Sequence, residues 1–280
     1  MSLRGRYIID RLHKALGHRF RLPCPPYQDP FYWNEGVYKS LGPNDVYEWG
    51  DVHYDDLETH SYRLFIYDSR FDNDGNNDEI NTTFRETLNL HPCKTTEKHV
   101  EKLSDKKERI MLLGCGNSKL GEDMATSKQF RYSELVQVDV SRNVITSMEE
   151  RCFSHISSGV MQFVEDDATS LSAFGDKSID AVVDKGLVDA IYCTRIGQTQ
   201  ISQILSSVNR VLIPGGIFVF FSFSRPECFE QLLDLKSQRT SNRQRSKKGW
   251  HKVEVRELNS IFLYKFQKGF SRGRRKNSIS

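Results

Sequence analysis

Arg109-Ile110-Met111-Leu112-Leu113-Gly114-Cys115-Gly116-Asn117-Ser118 is an apolar run of strand length that breaks at two glycines one residue apart and continues into a helix-compatible segment. Backbone can approach a ligand closely at such a break, at the carboxyl end of a strand, which marks a nucleotide-type site. A dinucleotide fingerprint needs a third glycine for close helix packing, but the position three beyond Gly116 is Lys119. Pyrophosphate is therefore disfavoured as the ligand.

The next strands narrow the choice. Leu135-Val136-Gln137-Val138 ends at Asp139, roughly 20 residues past the glycines, where a carboxylate can accept both hydroxyls of a ribose. Met161-Gln162-Phe163-Val164 ends at Glu165-Asp166-Asp167-Ala168, and Ile179-Asp180-Ala181-Val182-Val183 ends at Asp184-Lys185-Gly186. A rim of carboxylates repels a phosphate-rich ligand but suits one that carries a sulfonium, an amine and a ribose diol. S-adenosylmethionine has those groups.

The series Gly-Cys-Gly-Asn-Ser, Val-Asp-Val-Ser, Asp-Asp-Ala, Asp-Lys-Gly-Leu-Val-Asp-Ala and Pro-Gly-Gly, running from Gly114 to Gly216, resembles the class I methyltransferases of the seven-β-strand, methyltransferase-like type. Within that family it is most similar to the lysine methyltransferases that act on citrate synthase and on translation elongation factor 1-alpha. The resemblance extends from about Tyr32 to Gly269, apart from one insertion. It implies an α/β fold with a Rossmann-like, seven-stranded, mostly parallel sheet, an antiparallel last strand and helices on both faces. It also implies S-adenosylmethionine as cofactor. Gly114 and Gly116, with Cys115 and Asn117 in the same loop, would approach the methionine part. Asp139 would take the ribose with Val140 under the adenine, Asp166, Asp167 and Ala168 would read the adenine edge, and Lys185 would offer backbone to the same pocket. Trp33 and Trp49 lie where relatives carry aromatics that cover the methionine part, although Asn34 replaces the usual acid and Tyr38 falls one place late, leaving Val37 at the expected position.

Methyl transfer from a sulfonium is an in-line displacement, so a protein contributes chiefly by aligning donor and acceptor and excluding water. A lysine acceptor enters as an ammonium with a pKa near 10.4 and must lose its proton. Asp184 and Asp189 are the acids expected to orient that amine or relay its proton. For Asp189 a second reading stands beside the first, an acid at a helix N-terminus held by the dipole. Relatives read acid-Lys-Gly-Thr-x-Asp here, and Leu187 in place of threonine removes a hydroxyl, which touches either the substrate or a local turn bond.

Order along the chain agrees with one domain. With 280 residues and 38% hydrophobic content there is room for one α/β unit with appendages. From Ile110 onward, strands alternate with helical faces, which predicts right-handed crossovers and a parallel sheet. Ser141 caps a helix with Val144, Ile145, Met148 and Cys152 on one face. Ile201, Ile204, Leu205, Val208, Val211 and Leu212 form another, stopped by Pro214-Gly215-Gly216, and Ile217 to Phe223 reads as a doubly buried strand. Trp250 to Leu258 and Ile261 to Gln267 read as a closing hairpin.

The flanks differ from the middle. Residues 1–21 hold six Lys/Arg against one acid and residues 231–280 hold fourteen against three, which leaves 20 basic and 33 acidic side chains between them. Residues 1–26 form a basic segment with Leu3, Tyr7, Ile8, Leu12 and Leu16 near one helical face. It reads as a mitochondrial presequence or, equally, as a basic tail or docking helix. Residues 27–270 form the methyltransferase domain, interrupted near 68–81 by an acidic, Asn-rich insertion expected to be a solvated loop. Residues 271–280 form a basic tail.

Several function classes lose support. The six cysteines have no paired spacing and the eight histidines no ligand spacing, so no metal is assigned. Neither a Gly-x-Ser-x-Gly elbow nor a Gly-Lys-Ser/Thr loop is present. No stretch approaches the ~18 apolar residues of a membrane span. The clusters Arg243-Gln244-Arg245-Ser246-Lys247-Lys248 and Arg272-Gly273-Arg274-Arg275-Lys276 keep an RNA methyltransferase or RNA-binding reading open. Absence of an Asn-Pro-Pro-Tyr type motif after the fourth strand favours a protein acceptor over a nucleobase. The expectation is thus a protein-lysine methyltransferase whose partner is citrate synthase in mitochondria, with elongation factor 1-alpha in the cytoplasm as the alternative.

Overall fold

Six parallel or antiparallel pairings join seven strands into one sheet of order β3-β2-β1-β4-β5-β7-β6. The strands are β1 (Glu108–Leu113), β2 (Ser133–Asp139), β3 (Met161–Glu165), β4 (Ile179–Lys185), β5 (Leu212–Ser222), β6 (Trp250–Leu258) and β7 (Ile261–Lys268). Helices α1 (Leu120–Thr126), α2 (Arg142–Arg151), α3 (Phe153–Ser157), α4 (Leu187–Tyr192), α5 (Gly197–Val211) and α6 (Pro226–Leu233) connect them. This computed structural model describes residues 26–27, 29–39, 41, 44–46, 48, 88, 107–130, 133–233, 249–258 and 261–270. The N-terminal basic segment up to residue 25, Trp49, the 68–81 insertion and the 271–280 tail lie outside the described residues.

Strands β1 to β5 run parallel, and β7 enters antiparallel between β5 and β6. Because β2 and β3 lie on one side of β1 and β4 on the other, the strand order reverses at β1. Such a switch point opens a crevice at the carboxyl ends of the strands, where Gly114 and Gly116 stand.

Period-two alternation divides the core into two layers. Met111 and Leu113 of β1, Val136 and Val138 of β2, and Phe218 and Phe220 of β5 pack with Val188 of α4 and the Ile201-Ile204-Leu205-Val208-Val211 face of α5. Ile110 and Leu112, Leu135, and Ile217, Val219 and Phe221 face the other way, onto Leu120 and Met124 of α1 and Val144 and Met148 of α2. Helices thus cover both faces, and strands buried on both sides read as continuous apolar runs.

Local signals explain most boundaries. Ser141 Oγ accepts the Val144 amide at 3.3 Å, capping α2 as its position predicts. One boundary differs from the sequence expectation. Helix α5 ends at Val211 and β5 starts at Leu212, ahead of the proline rather than at it. Leu212 is already extended (ψ 142°), and the proline ring of Pro214 disfavours a return to helical backbone at Ile213. Pro214-Gly215-Gly216 is absorbed as an irregularity in the β4–β5 pairing, and the strand closes at Ser222 rather than Phe223.

Candidate active site

A cavity of about 180 Å³ lies along the carboxyl edge of the sheet at the switch point. Its floor is the loop after β1. Gly114 and Gly116 have φ of +62° and +53°, left-handed values that an L side chain adopts only with strain. A Cβ added to Gly114 would stand 2.8 Å from Leu187 Cβ, and one added to Gly116 would stand 2.8 Å from Tyr38 Oη. Both glycines are therefore required by the conformation and by close neighbours. Cys115 also lines the cavity, but burial, with the nearby Asp139 carboxylate second, pushes its thiol well above the usual range, so it stays protonated and is no nucleophile.

Asp139, at the end of β2, fastens this loop to the next one. Its Oδ2 accepts the Gly116 amide and its Oδ1 the Ser141 amide, both at 2.9 Å. Burial raises its pKa while the Ser141, Gly116 and Val140 amides oppose the rise. Each carboxylate oxygen keeps a further lone pair, so a diol can still be bound from the cavity, which Asp139 and Val140 both line.

The loop after β3 forms the third wall, with Asp166, Asp167, Ala168 and Thr169 lining the cavity. The two aspartates differ in what they have left to give. Asp166 uses Oδ1 on the Asp167 amide (2.8 Å) and Ser172 Oγ (3.2 Å), and Oδ2 on the Ala173 amide (2.8 Å). Asp167 uses Oδ1 alone, on the amide and hydroxyl of Thr169, which leaves Oδ2 for a ligand donor. Helix α5 braces this loop through Ser207 Oγ, which donates to the Ala168 carbonyl at 2.6 Å, and places Gln200 and Ile204 at the cavity wall.

Aromatic rings cover the cavity from the N-terminal side. Trp33 lies between Tyr27 and Tyr38, stacked on both at centroid distances of 5.6 and 5.8 Å, and its indole N–H donates to the Tyr27 carbonyl at 2.8 Å. All three rings line the cavity, and so does Pro30. The late position of Tyr38 has a physical cause. Tyr32–Val37 is a π-helical turn in which the Tyr38 amide bonds back to the Trp33 carbonyl at 2.8 Å, five residues away, so the turn takes up one extra residue. Val37 rotates into the core, where it is buried, and Tyr38 arrives over Gly116. Asn34 docks this turn: its Oδ1 accepts from Ser141 Oγ (2.7 Å) and the Asn143 amide (3.1 Å) at the start of α2.

Three sequence expectations are changed by the geometry. Asp184 and Asp189 do not line the cavity. On β4 the flanking Val183 and Lys185 point into it, so alternation turns Asp184 away. Its carboxylate instead accepts the amides of Leu187 (2.7 Å) and Val188 (2.9 Å), capping α4, and burial raises its pKa to about 7. That bond also answers the missing threonine hydroxyl, because Asp184 makes the turn contact and Leu187 is free to pack on Gly114. Asp189, buried in α4, accepts from Ser222 Oγ and from the Phe223 amide at 2.9 Å, which ties α4 to the end of β5. Asn117 likewise turns from the cavity: its Nδ2 donates to the Asp45 carbonyl at 2.7 Å, while Arg151 Nη1 donates to its carbonyl at 3.1 Å.

Lys185 is among the residues that line the cavity. Its ammonium forms an ion pair with Glu48, and both side chains are nearly buried, 6% and 7% exposed. Glu48 also accepts from Ser118 Oγ (2.8 Å) and the Lys119 amide (2.7 Å). Sequence reasoning passed over Glu48, although it sits inside the Tyr47-Glu48-Trp49 triplet that drew attention for its tryptophan. Gln200 and Thr169 also line the cavity, and nothing local in the sequence marks them.

S-adenosylmethionine would fit the residues present: a glycine floor that tolerates no Cβ, the Asp139 and Asp167 oxygens for hydroxyl and amine donors, and a cover of aromatic rings from Tyr27, Trp33 and Tyr38. Sheet order and cavity match the Rossmann-like, mostly parallel architecture that the sequence motifs imply. A family described as a methyltransferase domain matches residues 111–220, from β1 to β5. A Mus musculus protein named eEF1A lysine and N-terminal methyltransferase is 33% identical over 138 residues, which is 49% of this chain and 18% of that protein. Mus musculus EEF1A lysine methyltransferase 4 is 31% identical over 127 residues, 42% of this chain and 47% of its own. The Danio rerio mitochondrial citrate synthase-lysine N-methyltransferase is 32% identical over 124 residues, 42% of this chain and 48% of its own. The chain therefore matches less than half the length of each of these relatives. A solved S-adenosylmethionine-dependent methyltransferase from Methanosarcina mazei, 18% identical, aligns with 60% of this chain and 95% of its own at a TM-score of 0.41.

Proposed function

We propose that this protein transfers the methyl group of S-adenosylmethionine to a lysine side chain of a protein. The observation that carries the reading is the distribution of acids around the cavity. Among the described residues that line it, the carboxylates are Asp139, Asp166 and Asp167, all at the β2 and β3 ends, where the ribose and adenine would lie. At the β4 end the wall is Gly186, Leu187 and the Glu48-paired Lys185. Acceptor chemistry there relies on alignment and desolvation: an amine held among apolar groups, next to a cationic donor, is pushed towards its neutral, nucleophilic form. Asp184 and Asp189 serve this arrangement as positioning residues that hold α4 and Leu187 in place. Bound S-adenosylmethionine supplies the electrophilic methyl; the chain supplies the geometry and the dry wall.

Relatives named as lysine methyltransferases support a protein acceptor, and two such names, one for elongation factor 1-alpha and one for citrate synthase, match at nearly equal identity. The basic segment at residues 1–26 favours citrate synthase and mitochondria, with elongation factor 1-alpha in the cytoplasm as the other arm. The test is transfer of labelled methyl to purified citrate synthase, elongation factor 1-alpha and total RNA in parallel, beside the location of a fluorescent protein fused behind residues 1–26. Label in one protein, rising with pH as the lysine deprotonates, is expected. Label confined to RNA and lost with ribonuclease overturns the reading.

A further inference from the structure

The Glu48–Lys185 pair has no role in the binding scheme above, yet Lys185 lines the cavity and both partners are almost fully withdrawn from water. Burying two charges is costly, and removing one partner leaves the other short of its counter-charge in a medium that screens poorly. The ligand of this cavity exists in two forms that differ by one charge at one atom. S-adenosylmethionine is a sulfonium cation at sulfur, whereas the product, S-adenosylhomocysteine, is a neutral thioether there.

We propose that Glu48 determines which charge form the cavity prefers, by neutralising the Lys185 ammonium so that a sulfonium can be taken up beside it. This rests on the methyltransferase reading. Glu48 is well placed for the task, because the Oε2 that pairs with Lys185 also accepts from Ser118 Oγ and its Oε1 accepts from the Lys119 amide, both in the loop that follows the glycines. Asn117 grips the same N-terminal stretch through the Asp45 carbonyl, so the carboxylate is delivered by a segment anchored to the cavity floor. Removing the Glu48 charge leaves the Lys185 ammonium one negative charge short, and the excess positive charge repels the sulfonium while acting little on the thioether.

The experiment is calorimetric titration of the full chain with S-adenosylmethionine and with S-adenosylhomocysteine. In Glu48→Gln, affinity for the sulfonium should fall about tenfold more than affinity for the thioether. Lys185→Met should shift the ratio the opposite way, because an unopposed carboxylate favours a cation. That second variant also decides the matter should Glu48→Gln not fold. Parallel losses for both ligands, or an unchanged ratio in both folded variants, would overturn the proposal while leaving the methyltransferase reading intact. A wild-type chain that binds neither ligand would overturn both.

Discussion

The carboxylate of Asp184 accepts the amide of Leu187 at 2.7 Å, inside the protein and behind the cavity wall. Removing it in Asp184→Ala strands the Leu187 and Val188 amides and should cost about 2–4 kcal/mol in urea unfolding. The pH dependence has a definite sign. Burial raises the folded pKa to about 7, above the ordinary carboxylate value, so the native state binds a proton that the unfolded chain releases. Its contribution to stability is then greatest at low pH and declines as pH rises towards 7. Asn at this position does not titrate. The stability of wild type minus that of Asp184→Asn should therefore fall by roughly 2–3 kcal/mol between pH 5 and pH 8. A flat difference would show that the amides, not desolvation, dominate this site.

Asp139 joins two jobs, holding the Gly116 and Ser141 amides and presenting lone pairs to the cavity. Asp139→Ala should lose roughly 2–4 kcal/mol of affinity for S-adenosylmethionine and also lower the melting temperature. Titration calorimetry and thermal denaturation on one sample measure the two effects. Unchanged affinity in a folded variant would remove Asp139 from the binding site.

Gly116 and Tyr38 should behave as a coupled pair. In Gly116→Ala the new methyl meets Tyr38 Oη at 2.8 Å, but the next atom, Cζ, is 3.8 Å away. The single variant should weaken S-adenosylmethionine binding about tenfold or more, combining left-handed strain of about 1–2 kcal/mol with displacement of the ring. Adding Tyr38→Phe removes the hydroxyl and should restore part of the loss. Additive penalties in the double-variant cycle would contradict this account.

Asn34 tests whether the aromatic cover depends on its hydrogen bonds to α2. Asn34→Ala frees Ser141 Oγ and the Asn143 amide and should cost about 1–2 kcal/mol of stability. Asn34→Asp keeps the acceptor and adds charge at a helix N-terminus, so it should at least match wild type. Near-ultraviolet circular dichroism follows the Trp33 environment directly, and an unchanged spectrum in Asn34→Ala would mean that the ring stack holds itself.

Much of this architecture was legible in the residues because it depends on local periods. The two faces of β1 and β5, the apolar stripe of α5 and the Ser141 cap each follow from spacing along a single element. Gly114 and Gly116 announced a tight approach, and the acids at the ends of β2 and β3 announced the rim. Boundaries were harder: β5 starts at Leu212, ahead of Pro214 rather than at it.

The sequence by itself determined the order of strands and helices, the glycine break after β1 and the chemical character of the rim, because side-chain period and backbone freedom act over a few residues. Only the tertiary structure decided how each rim group is spent. Asp184 and Asp189 carry the same functional group as Asp139 and Asp167, yet the first two are consumed by amides of α4 and the β5 end, while the others keep lone pairs facing the cavity. Glu48 meets Lys185 across 137 residues of chain. A carboxylate's role depends on which donors the fold brings to it and how much water it removes, and neither is written in the residues beside it.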